Sequence, residues 1–296
     1  MKLLVSAYSY DVSNQTLGVI GSGTMGMGIA EVGARGGWSV IVVDTEQGAL
    51  DRARTSIETS VARAVSAGKL DDVVDEVMAR LTFTQKVTDL APCSFVIEAI
   101  RENVDDKVAV FRALDEILDE SAVIATNTSS IPVAKLAAAT AHPERLLGLH
   151  FFNPVPLMGL VELIPSLLTD PGAADRAESF ARDVLGKDVI RAKDQAGFVV
   201  NAILVPYLLS AIRSLDNGVA SRDDIDHGLV GGCGMPMGPL RLCDLIGLDT
   251  MLLVSESLYS EHLDPSFAPP ALLRRHVDAG WLGRKSGRGF YDYGVR

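Results

Sequence analysis

The stretch LGVIGSGTMG, residues 17–26, decides the fold. Its first four residues form a short apolar run, typical of a strand that is buried on both faces of a parallel sheet. A GxGxxG pattern follows at once, and a helical pattern begins at Met27 and runs to Ala34. A glycine-rich turn between a strand and a helix is typical of dinucleotide-binding folds, so this stretch predicts such a turn.

Each glycine of the turn has its own predicted task. Gly21 permits the tight turn, Gly23 lets the backbone approach a pyrophosphate, and Gly26 lets the helix pack closely on the strand. The N–H groups at the start of the helix then face the phosphates. The residues predicted to contact the dinucleotide here are Gly21, Ser22, Gly23, Thr24, Met25 and Gly26.

Asp44 predicts which dinucleotide binds. It follows the apolar run at 40–43, a second strand candidate. A carboxylate at this position accepts hydrogen bonds from the ribose hydroxyls of adenosine and repels a 2′-phosphate. The sequence therefore favours NAD over NADP, against the alternative of a glycine-rich turn with an unrelated aspartate.

Short apolar runs predict the strands of the first domain. They lie at 17–20, 40–43, 95–97, 123–125 and 146–149. Amphipathic stretches separate them, and one places Val108, Phe111 and Leu114 on a single helical stripe. This alternation predicts an α/β fold, a Rossmann-type doubly wound parallel sheet.

The pattern changes near Lys193. Residues 198–213 are apolar almost all round, which is typical of a buried helix, and Pro206 lies inside them. Ser221, with an acid three residues later, is a candidate N-cap, and Gly238 precedes another predicted helix. The sequence predicts three parts: an N-terminal extension at 1–15 without a role in the chemistry, a nucleotide-binding domain at 16–190 and an all-helical domain at 191–296.

Composition narrows the class of partner. The formal net charge of -11 argues against a nucleic-acid partner. No apolar run reaches the roughly 18 residues of a membrane-spanning helix, so no membrane partner is expected. Cys93, Cys233 and Cys243 form no CxxC pair and have no histidine cluster beside them. We therefore expect neither disulfides nor a metal site, and interpret the cysteines as reduced thiols of a cytoplasmic protein.

His150 is the main candidate for acid–base chemistry. It ends the fifth strand candidate, and ligands of open α/β sheets gather at the carboxyl ends of strands. Histidines titrate near neutral pH, which suits a general base that takes a hydroxyl proton while hydride leaves the same carbon. Glu162 lies in another apolar run, and because buried glutamates are seldom unpaired, it is a candidate partner for the ring. A core histidine and a glutamate bound elsewhere explain the pattern equally well.

Further hydrogen-bond donors follow the fourth strand candidate, in TNTSS at 126–130. These hydroxyl and amide groups are candidates to bond a substrate oxygen at the same sheet edge. The alternative is a helix N-cap before Pro132, supplied by Ser130. Asn201, in the apolar helix, is either a core amide bonded to backbone or a donor to the substrate oxygen.

Together these segments resemble the L-3-hydroxyacyl-CoA dehydrogenase family, in its short stand-alone 3-hydroxybutyryl-CoA dehydrogenase form. The resemblance runs from Thr16 to Tyr293, and several long motifs in the family's order argue against a chance match. The most specific motifs are GLHFFNPVP at 148–156, NTSS at 127–130, AGFVVN at 196–201, MPMGP at 235–239 and GLDT at 247–250.

The resemblance implies NAD-dependent interconversion of a short-chain (S)-3-hydroxyacyl-CoA and its 3-oxo counterpart. By position it makes His150 the general acid and base, with Glu162 as its partner. It also implies that Ser129 and Asn201 polarise the substrate oxygen. The further cofactor contacts that it implies are Glu102, Lys107, Ser129, Asn153 and Lys285.

The resemblance also implies contacts to coenzyme A and a partner subunit. Ser60 matches a coenzyme A contact in the helical arm after the second strand, and Lys69 is a further candidate although the spacing there differs. A homodimer built through the helical domain is implied, which agrees with the apolar helix at 198–213. A role in fatty acid metabolism is implied as well.

Two departures from the family bear on the substrate. Ala196 stands where the family usually has proline, and Gly159 stands where a lysine is common. Both lie near the expected path of the acyl or thioester portion. They keep open an alternative in which the same chemistry acts on an acyl group bound to a carrier protein, as in polyketide extender-unit synthesis.

A short free hydroxy acid is a weaker hypothesis for the substrate. Its carboxylate would need an arginine or lysine to bind it, and no compelling candidate lies close to His150 in sequence. A nucleotide-binding protein that has lost catalysis is a weaker hypothesis as well, because the set of His150, Glu162, Ser129 and Asn201 is intact.

Overall fold

The computed structural model describes residues 16–71 and 73–294, so the predicted extension at 1–15 lies outside the described residues. The chain divides into two compact units between Asp194 and Gln195. This division comes slightly later than the sequence predicts, because residue 190 falls within a strand that the sequence pattern did not reveal.

The first unit is built on one sheet. The strands are β1 (Thr16–Ile20), β2 (Ser39–Val43), β3 (Leu81–Thr84), β4 (Phe95–Glu98), β5 (Val123–Thr126), β6 (Leu146–Phe151), β7 (Leu160–Pro165) and β8 (Asp188–Arg191). Their order in the sheet is β3-β2-β1-β4-β5-β6-β7-β8. Strands β1 to β6 are parallel, β7 is antiparallel to β6, and β8 is parallel to β7. The predicted Rossmann-type sheet is confirmed, with an antiparallel extension.

Helices connect and cover these strands. They are α1 (Thr24–Arg35), α2 (Gln47–Ser66), α3 (Val74–Ala79), α4 (Val104–Ile117), α5 (Val133–Ala137) and α6 (Pro171–Ser179). Short 3-10 turns lie at Val87–Leu90 and Pro143–Arg145, and a π-helical turn at Phe180–Val184 follows α6. Helix α1 begins earlier than the predicted Met27, because the extended backbone of Gly23 already serves as its N-cap.

The central strands were predictable from the sequence because they are buried. Strands β4, β5 and β6 are buried along their whole length, so nearly every residue in them is apolar. Phe95 of β4 stacks on Phe180 with 4.2 Å between ring centroids, and Trp38 meets Phe180 edge-on at 4.8 Å. Burial of each such side chain stabilises the fold by about 1.5–3 kcal/mol.

The second unit is helical, as predicted. Its helices are α7 (Val200–Asp216), α8 (Arg222–Cys233), α9 (Pro239–Ile246), α10 (Leu248–His262) and α11 (Ala271–Asp278). Short 3-10 turns lie at Pro265–Phe267 and Arg284–Ser286. Ser221 caps α8 by accepting a hydrogen bond from the Asp224 N–H at 3.2 Å, and Pro239 opens α9. Both of these helix starts are confirmed.

Helix α7 differs from the prediction of a wholly buried helix. One side packs into the core of the second unit through Leu208, Leu209 and Ile212. On the other side, Ile203 is 71% exposed. In the single chain, α7 is therefore buried on one side and exposes the apolar Ile203 on the other. No helix in the described part of the chain is long and apolar enough to cross a membrane.

Candidate active site

The glycine-rich turn after β1 is built as a cradle. Gly21 has φ +95°, and a Cβ there would lie 2.6 Å from the Ala99 carbonyl oxygen. A Cβ at Gly26 would lie 1.7 Å from the Gly21 carbonyl oxygen, so helix α1 sits directly against the turn. A Cβ at Gly23 would meet nothing within 4 Å, so this glycine leaves the backbone open to an approaching group. This geometry fits a pyrophosphate.

A cavity of about 430 Å³ lies in front of this turn. It combines the start of α1 with the end of β2 and the start of α2, the arrangement expected for the adenosine half of a dinucleotide. The residues that line it include Ser22, Gly23, Thr24, Met27, Asp44 and Glu46.

Asp44 is fixed at the far side of this cavity. Its carboxylate accepts hydrogen bonds from the Ser22 N–H at 2.8 Å and the Ser22 hydroxyl at 2.7 Å. Burial alone would raise the pKa of Asp44, but these bonds and those from the backbone of Thr45 and Glu46 outweigh it, so the pKa is lowered. An ionised carboxylate here fits ribose hydroxyls and repels a 2′-phosphate, so the residues present fit NAD.

His150 and Glu162 face each other across the antiparallel pair of β6 and β7, in direct register. His150 Nδ1 lies 2.7 Å from Glu162 Oε2. His150 is 7% exposed and Glu162 is 0% exposed. The Phe152 ring meets the imidazole edge-on at 4.9 Å. The alternative in which these two side chains are bound elsewhere does not describe this structure, because they form one buried pair.

The end of β5 is tied to the end of β6 by Asn127. Its side-chain oxygen accepts a hydrogen bond from the Phe151 N–H at 2.9 Å. We call residues 127–130 the serine loop. The bond brings the start of this loop beside the strand that carries His150. The sequence placed Asn127 in a specific motif but did not predict its hydrogen bond to the backbone of β6.

Glu102 holds the rest of the serine loop. Its carboxylate accepts hydrogen bonds from the Thr128 hydroxyl, from the Ser129 N–H at 3.0 Å, and from the Ser130 N–H at 3.2 Å. The Ser130 hydroxyl also donates to it at 3.0 Å. Burial would raise the pKa of Glu102, but the Lys107 ammonium and these donors outweigh it and lower the pKa. Glu102, predicted as a cofactor contact, is thus bonded chiefly to the loop that carries Ser129.

Ser130 is not the N-cap of α5, so that alternative is wrong. The first N–H groups of α5, at Val133 and Ala134, donate to the Asp194 carboxylate at 2.7 and 2.6 Å. The cap comes from the end of the first unit, far along the chain. The Ser130 hydroxyl is turned to Glu102 instead.

A buried ion-pair system lies behind Glu102. Lys107, 1% exposed, donates to Glu98 at 2.6 Å and lies 3.2 Å from Glu102. Glu98, 0% exposed, also accepts from the Thr126 hydroxyl at 2.7 Å and the Ile100 N–H at 2.7 Å. We call Glu98, Glu102 and Lys107 the β4 cluster. The sequence missed Glu98, although an acid that closes an apolar strand is a signal that could have found it.

A second cavity, of about 440 Å³, adjoins the first, since Thr24, Met27 and Ser56 line both. It brings the two candidate coenzyme A contacts together with Asn153 and adds two arginines that the sequence analysis missed. These residues of the cavity wall are Ser60, Lys69, Asn153, Arg35 and Arg63. Asn153, predicted near the nicotinamide, thus shares a wall with both candidate coenzyme A contacts.

The remaining candidates belong to the second unit. Asn201 lies half-buried in the first turn of α7, and Lys285 donates to Asp249 at 2.6 Å. Their contacts with substrate and cofactor stay predictions.

Ala196 and Gly159, the two departures from the family, differ in their contacts. The Ala196 N–H, a group that proline lacks, donates to Glu261 at 3.0 Å, and the Ala196 carbonyl lies 3.1 Å from His262 Nε2. Both backbone polar groups of Ala196 are therefore bound by neighbouring residues of α10. Gly159 is exposed, and a Cβ there would meet nothing within 4 Å.

The three cysteines differ in their exposure to solvent. Cys93 and Cys243 are buried and Cys233 is exposed, and all three are free thiols. Burial raises the pKa of the Cys93 thiol to about 12, which makes it unreactive. Among residues 16–71 and 73–294, no group of three or more His, Cys, Asp or Glu side chains is placed to hold a metal ion.

Comparison with known proteins covers both units. The family model described as "3-hydroxyacyl-CoA dehydrogenase, NAD binding domain" matches residues 16–195, and the model of the C-terminal domain of the same enzyme matches 197–293. A 3-hydroxybutyryl-CoA dehydrogenase of Mycobacterium tuberculosis is 52% identical over 281 residues, which cover 94% of this chain and 98% of that protein.

Solved structures of dehydrogenases match the fold of this chain as well. FadB2 from M. tuberculosis matches with a TM-score of 0.92 at 52% identity, covering 95% of this chain and 99% of that one. (S)-3-Hydroxybutyryl-CoA dehydrogenase PaaH1 from Ralstonia eutropha matches with a TM-score of 0.91 at 44% identity, covering 96% of this chain and 100% of that one. This chain therefore belongs to the 3-hydroxyacyl-CoA dehydrogenase family, and its first unit is the NAD-binding domain of that family.

Proposed function

We propose that this enzyme interconverts (S)-3-hydroxybutyryl-CoA and acetoacetyl-CoA with NAD as the hydride carrier. One observation carries the proposal: a buried pair of His150 and Glu162 stands at the carboxyl end of a strand in the same sheet whose first strand leads into the glycine cradle. The names of the relatives from M. tuberculosis and R. eutropha supply the C4 substrate and its stereochemistry.

His150 acts as the general base in the oxidative direction. NAD, when bound, accepts the hydride that leaves C3 of the substrate. His150 takes the hydroxyl proton, and we assign this exchange to Nε2 because Nδ1 is bonded to Glu162. General-base assistance of this kind contributes about 100- to 10,000-fold to a rate. In the reverse direction the imidazolium returns the proton to the oxygen.

Glu162 positions the ring and stabilises the imidazolium. It is fully buried, and its oxygen lies 2.7 Å from Nδ1. A charge-assisted hydrogen bond in a buried setting is roughly twice as strong as a neutral one. Glu162 therefore stabilises the protonated ring that forms as the substrate hydroxyl loses its proton.

Ser129 polarises the substrate oxygen. The serine loop that carries it is braced by Asn127 toward β6 and by Glu102 at its other end. A hydroxyl on a braced loop loses little conformational freedom when it donates to the developing carbonyl oxygen, and such fixed donors stabilise transition states efficiently. The role of Asn201 as a second donor stays a prediction from the family resemblance.

Coenzyme A is the favoured carrier. The second cavity has three basic side chains in its wall, at Arg35, Arg63 and Lys69. Phosphates of coenzyme A are anionic, and arginine and lysine are the side chains that bind them best. The relatives from M. tuberculosis and R. eutropha are named for CoA substrates, and nothing in the comparisons favours a carrier protein.

The test is NADH oxidation by purified protein with three substrates: acetoacetyl-CoA, acetoacetyl bound to a carrier protein, and free acetoacetate. We expect turnover of the CoA ester with NADH and much slower turnover with NADPH. NADH oxidation with the carrier-bound substrate alone would favour the alternative of a role in polyketide extender-unit synthesis. No NADH oxidation with any of the three substrates would refute the proposed reaction.

We further propose a homodimer in the cytoplasm, acting in fatty acid metabolism. The exposed apolar outer side of α7, with Ile203 71% exposed, supports a partner surface on the second unit. Light scattering coupled to size-exclusion chromatography measures the state directly, and Ile203→Glu should shift it toward the monomer. A monomeric wild-type protein would contradict the proposal.

A further inference from the structure

We propose that the negative charge of the β4 cluster increases the affinity of the enzyme for oxidised NAD+ relative to its affinity for NADH. The oxidised nicotinamide ring carries a positive charge that the reduced ring lacks. The inference rests on the proposed function, because it concerns the same dinucleotide site.

The charges of the cluster do not cancel. It holds two carboxylates, Glu98 and Glu102, and one ammonium, Lys107. Glu98 accepts from Lys107, from the Thr126 hydroxyl and from the Ile100 N–H. All of these partners act as donors toward it, so the ionised form of Glu98 satisfies each contact. The cluster as a whole therefore carries one net negative charge.

Burial limits the screening of this charge by water. Glu98 is 0% and Lys107 is 1% exposed, so water screens them little. The Glu102 side chain is 26% exposed and is the member that reaches the surface at the strand ends. Its pKa is lowered, since Lys107 and the donors of the serine loop outweigh its burial, and it is ionised at neutral pH.

The β4 cluster lies on the side of the sheet where we expect the nicotinamide half of the cofactor to bind. Dinucleotides lie across the point where the order of the strands reverses, which here is between β1 and β4. Asp44 and its cavity lie at the end of β2, on the adenosine side. The β4 cluster and the serine loop lie at the ends of β4 and β5, on the opposite side.

A net negative charge on this side interacts favourably with the oxidised ring and hardly at all with the neutral reduced ring. Contacts to the adenosine half, in contrast, should act on both forms alike, because the two forms differ only in the nicotinamide ring. Stabilising bound NAD+ relative to bound NADH also shifts the equilibrium on the enzyme toward transfer of hydride to the 3-oxo substrate.

The test measures dissociation constants by titration calorimetry for NAD+, NADH and ADP-ribose, the last of which lacks the nicotinamide. Glu102→Gln removes the charge and keeps the shape of the side chain. We expect the ratio of Kd for NAD+ to Kd for NADH to rise by about 3- to 10-fold. ADP-ribose binding should change little.

The matched control is Ser130→Ala, which removes one donor to the same carboxylate and keeps the charge. It should alter the two dissociation constants in parallel and leave their ratio unchanged. Glu98→Gln, on the other side of Lys107, provides a second charge removal with the same expected direction if Glu102→Gln folds poorly.

An unchanged ratio in a folded Glu102→Gln or Glu98→Gln variant would overturn the inference. A ratio that moves equally in Ser130→Ala would also overturn it, because loop geometry rather than charge would then be the cause. Failure of the wild type to bind either nucleotide would instead refute the proposed function itself.

Discussion

At the end of β6, His150 is held against Glu162 by the register of two paired strands, whereas at the end of β5 the serine loop is held by side chains from elsewhere. In the first region the register of the strand ladder places both partners opposite each other through backbone hydrogen bonds. In the second, the loop depends on Glu102, which Lys107 and Glu98 keep in place. We infer that changes in the first region alter chemistry with little effect on folding, and that changes in the second alter both.

The largest expected effect comes from His150→Ala. Loss of the general base should lower turnover by about 100- to 10,000-fold, while NADH binding stays largely intact because the strand ladder does not need the imidazole. Steady-state rates and NADH fluorescence titration measure the two quantities. His142→Ala, at a partly exposed histidine that pairs with Glu144, is the matched control and should retain normal turnover. Near-normal turnover of His150→Ala would remove His150 from the mechanism.

Glu162→Gln should have the next largest effect. The register keeps the amide opposite His150, but the negative charge that stabilises the imidazolium is gone. We expect turnover to fall by about 10- to 100-fold, the value of a hydrogen bond to a charged group, with an almost unchanged melting temperature. A variant that unfolds, rather than merely slows, would show that the register alone does not fix this region.

Asp44→Ala tests a third strand end, that of β2. It removes the carboxylate that Ser22 holds toward the ribose site. NADH should bind about 10-fold more weakly, and discrimination against NADPH should relax. Nucleotide titration measures both, with Asp51→Ala, at an exposed acid on α2, as control. An unchanged preference for NADH would refute the ribose role of Asp44.

Glu102→Gln should have the smallest effect, on stability. Since folding lowers the pKa of Glu102 from its usual 4.5, the ionised carboxylate stabilises the fold above that pH, and this contribution disappears as pH falls through the lowered pKa. At neutral pH the variant should lose about 1 kcal/mol of unfolding free energy. Urea unfolding at neutral and acid pH measures the difference, which should shrink in acid.

The control for this series is Glu120→Gln, at an exposed acid that should show no such pH dependence. If the stability difference between wild type and Glu102→Gln were constant from neutral to acid pH, the serine loop would not depend on the charge of Glu102. The contrast between the two regions would then fail.

Buried strands were predictable from the sequence, and edge strands were not. Strands β4, β5 and β6 are covered on both faces, so their residues are almost all apolar and stand out. Strands β3 and β8 have four residues each and lie at the sheet edges with exposed positions, so their pattern resembles a loop. Strand β7 was noticed as an apolar run around Glu162, but an isolated run does not reveal its direction.

For the site, the sequence predicted residue types at strand ends better than their partners. His150 and the glycine turn stand out because strand, turn and acid follow in fixed order. The tasks of Asn127, Glu98 and Asp194 depend on contacts between segments far apart in the chain, which no local pattern encodes. The same holds for Glu261, which bonds the N–H that Ala196 has and proline lacks.

The most direct test of the central claim is the product of a single reaction mixture. Wild-type enzyme is given acetoacetyl-CoA and NADH, and the CoA ester formed is separated by chiral chromatography and compared with the NADH consumed. The account predicts one (S)-3-hydroxybutyryl-CoA for each NADH oxidised, and almost none with His150→Ala under the same conditions. NADH that binds without being oxidised, or product of the opposite configuration, would contradict it.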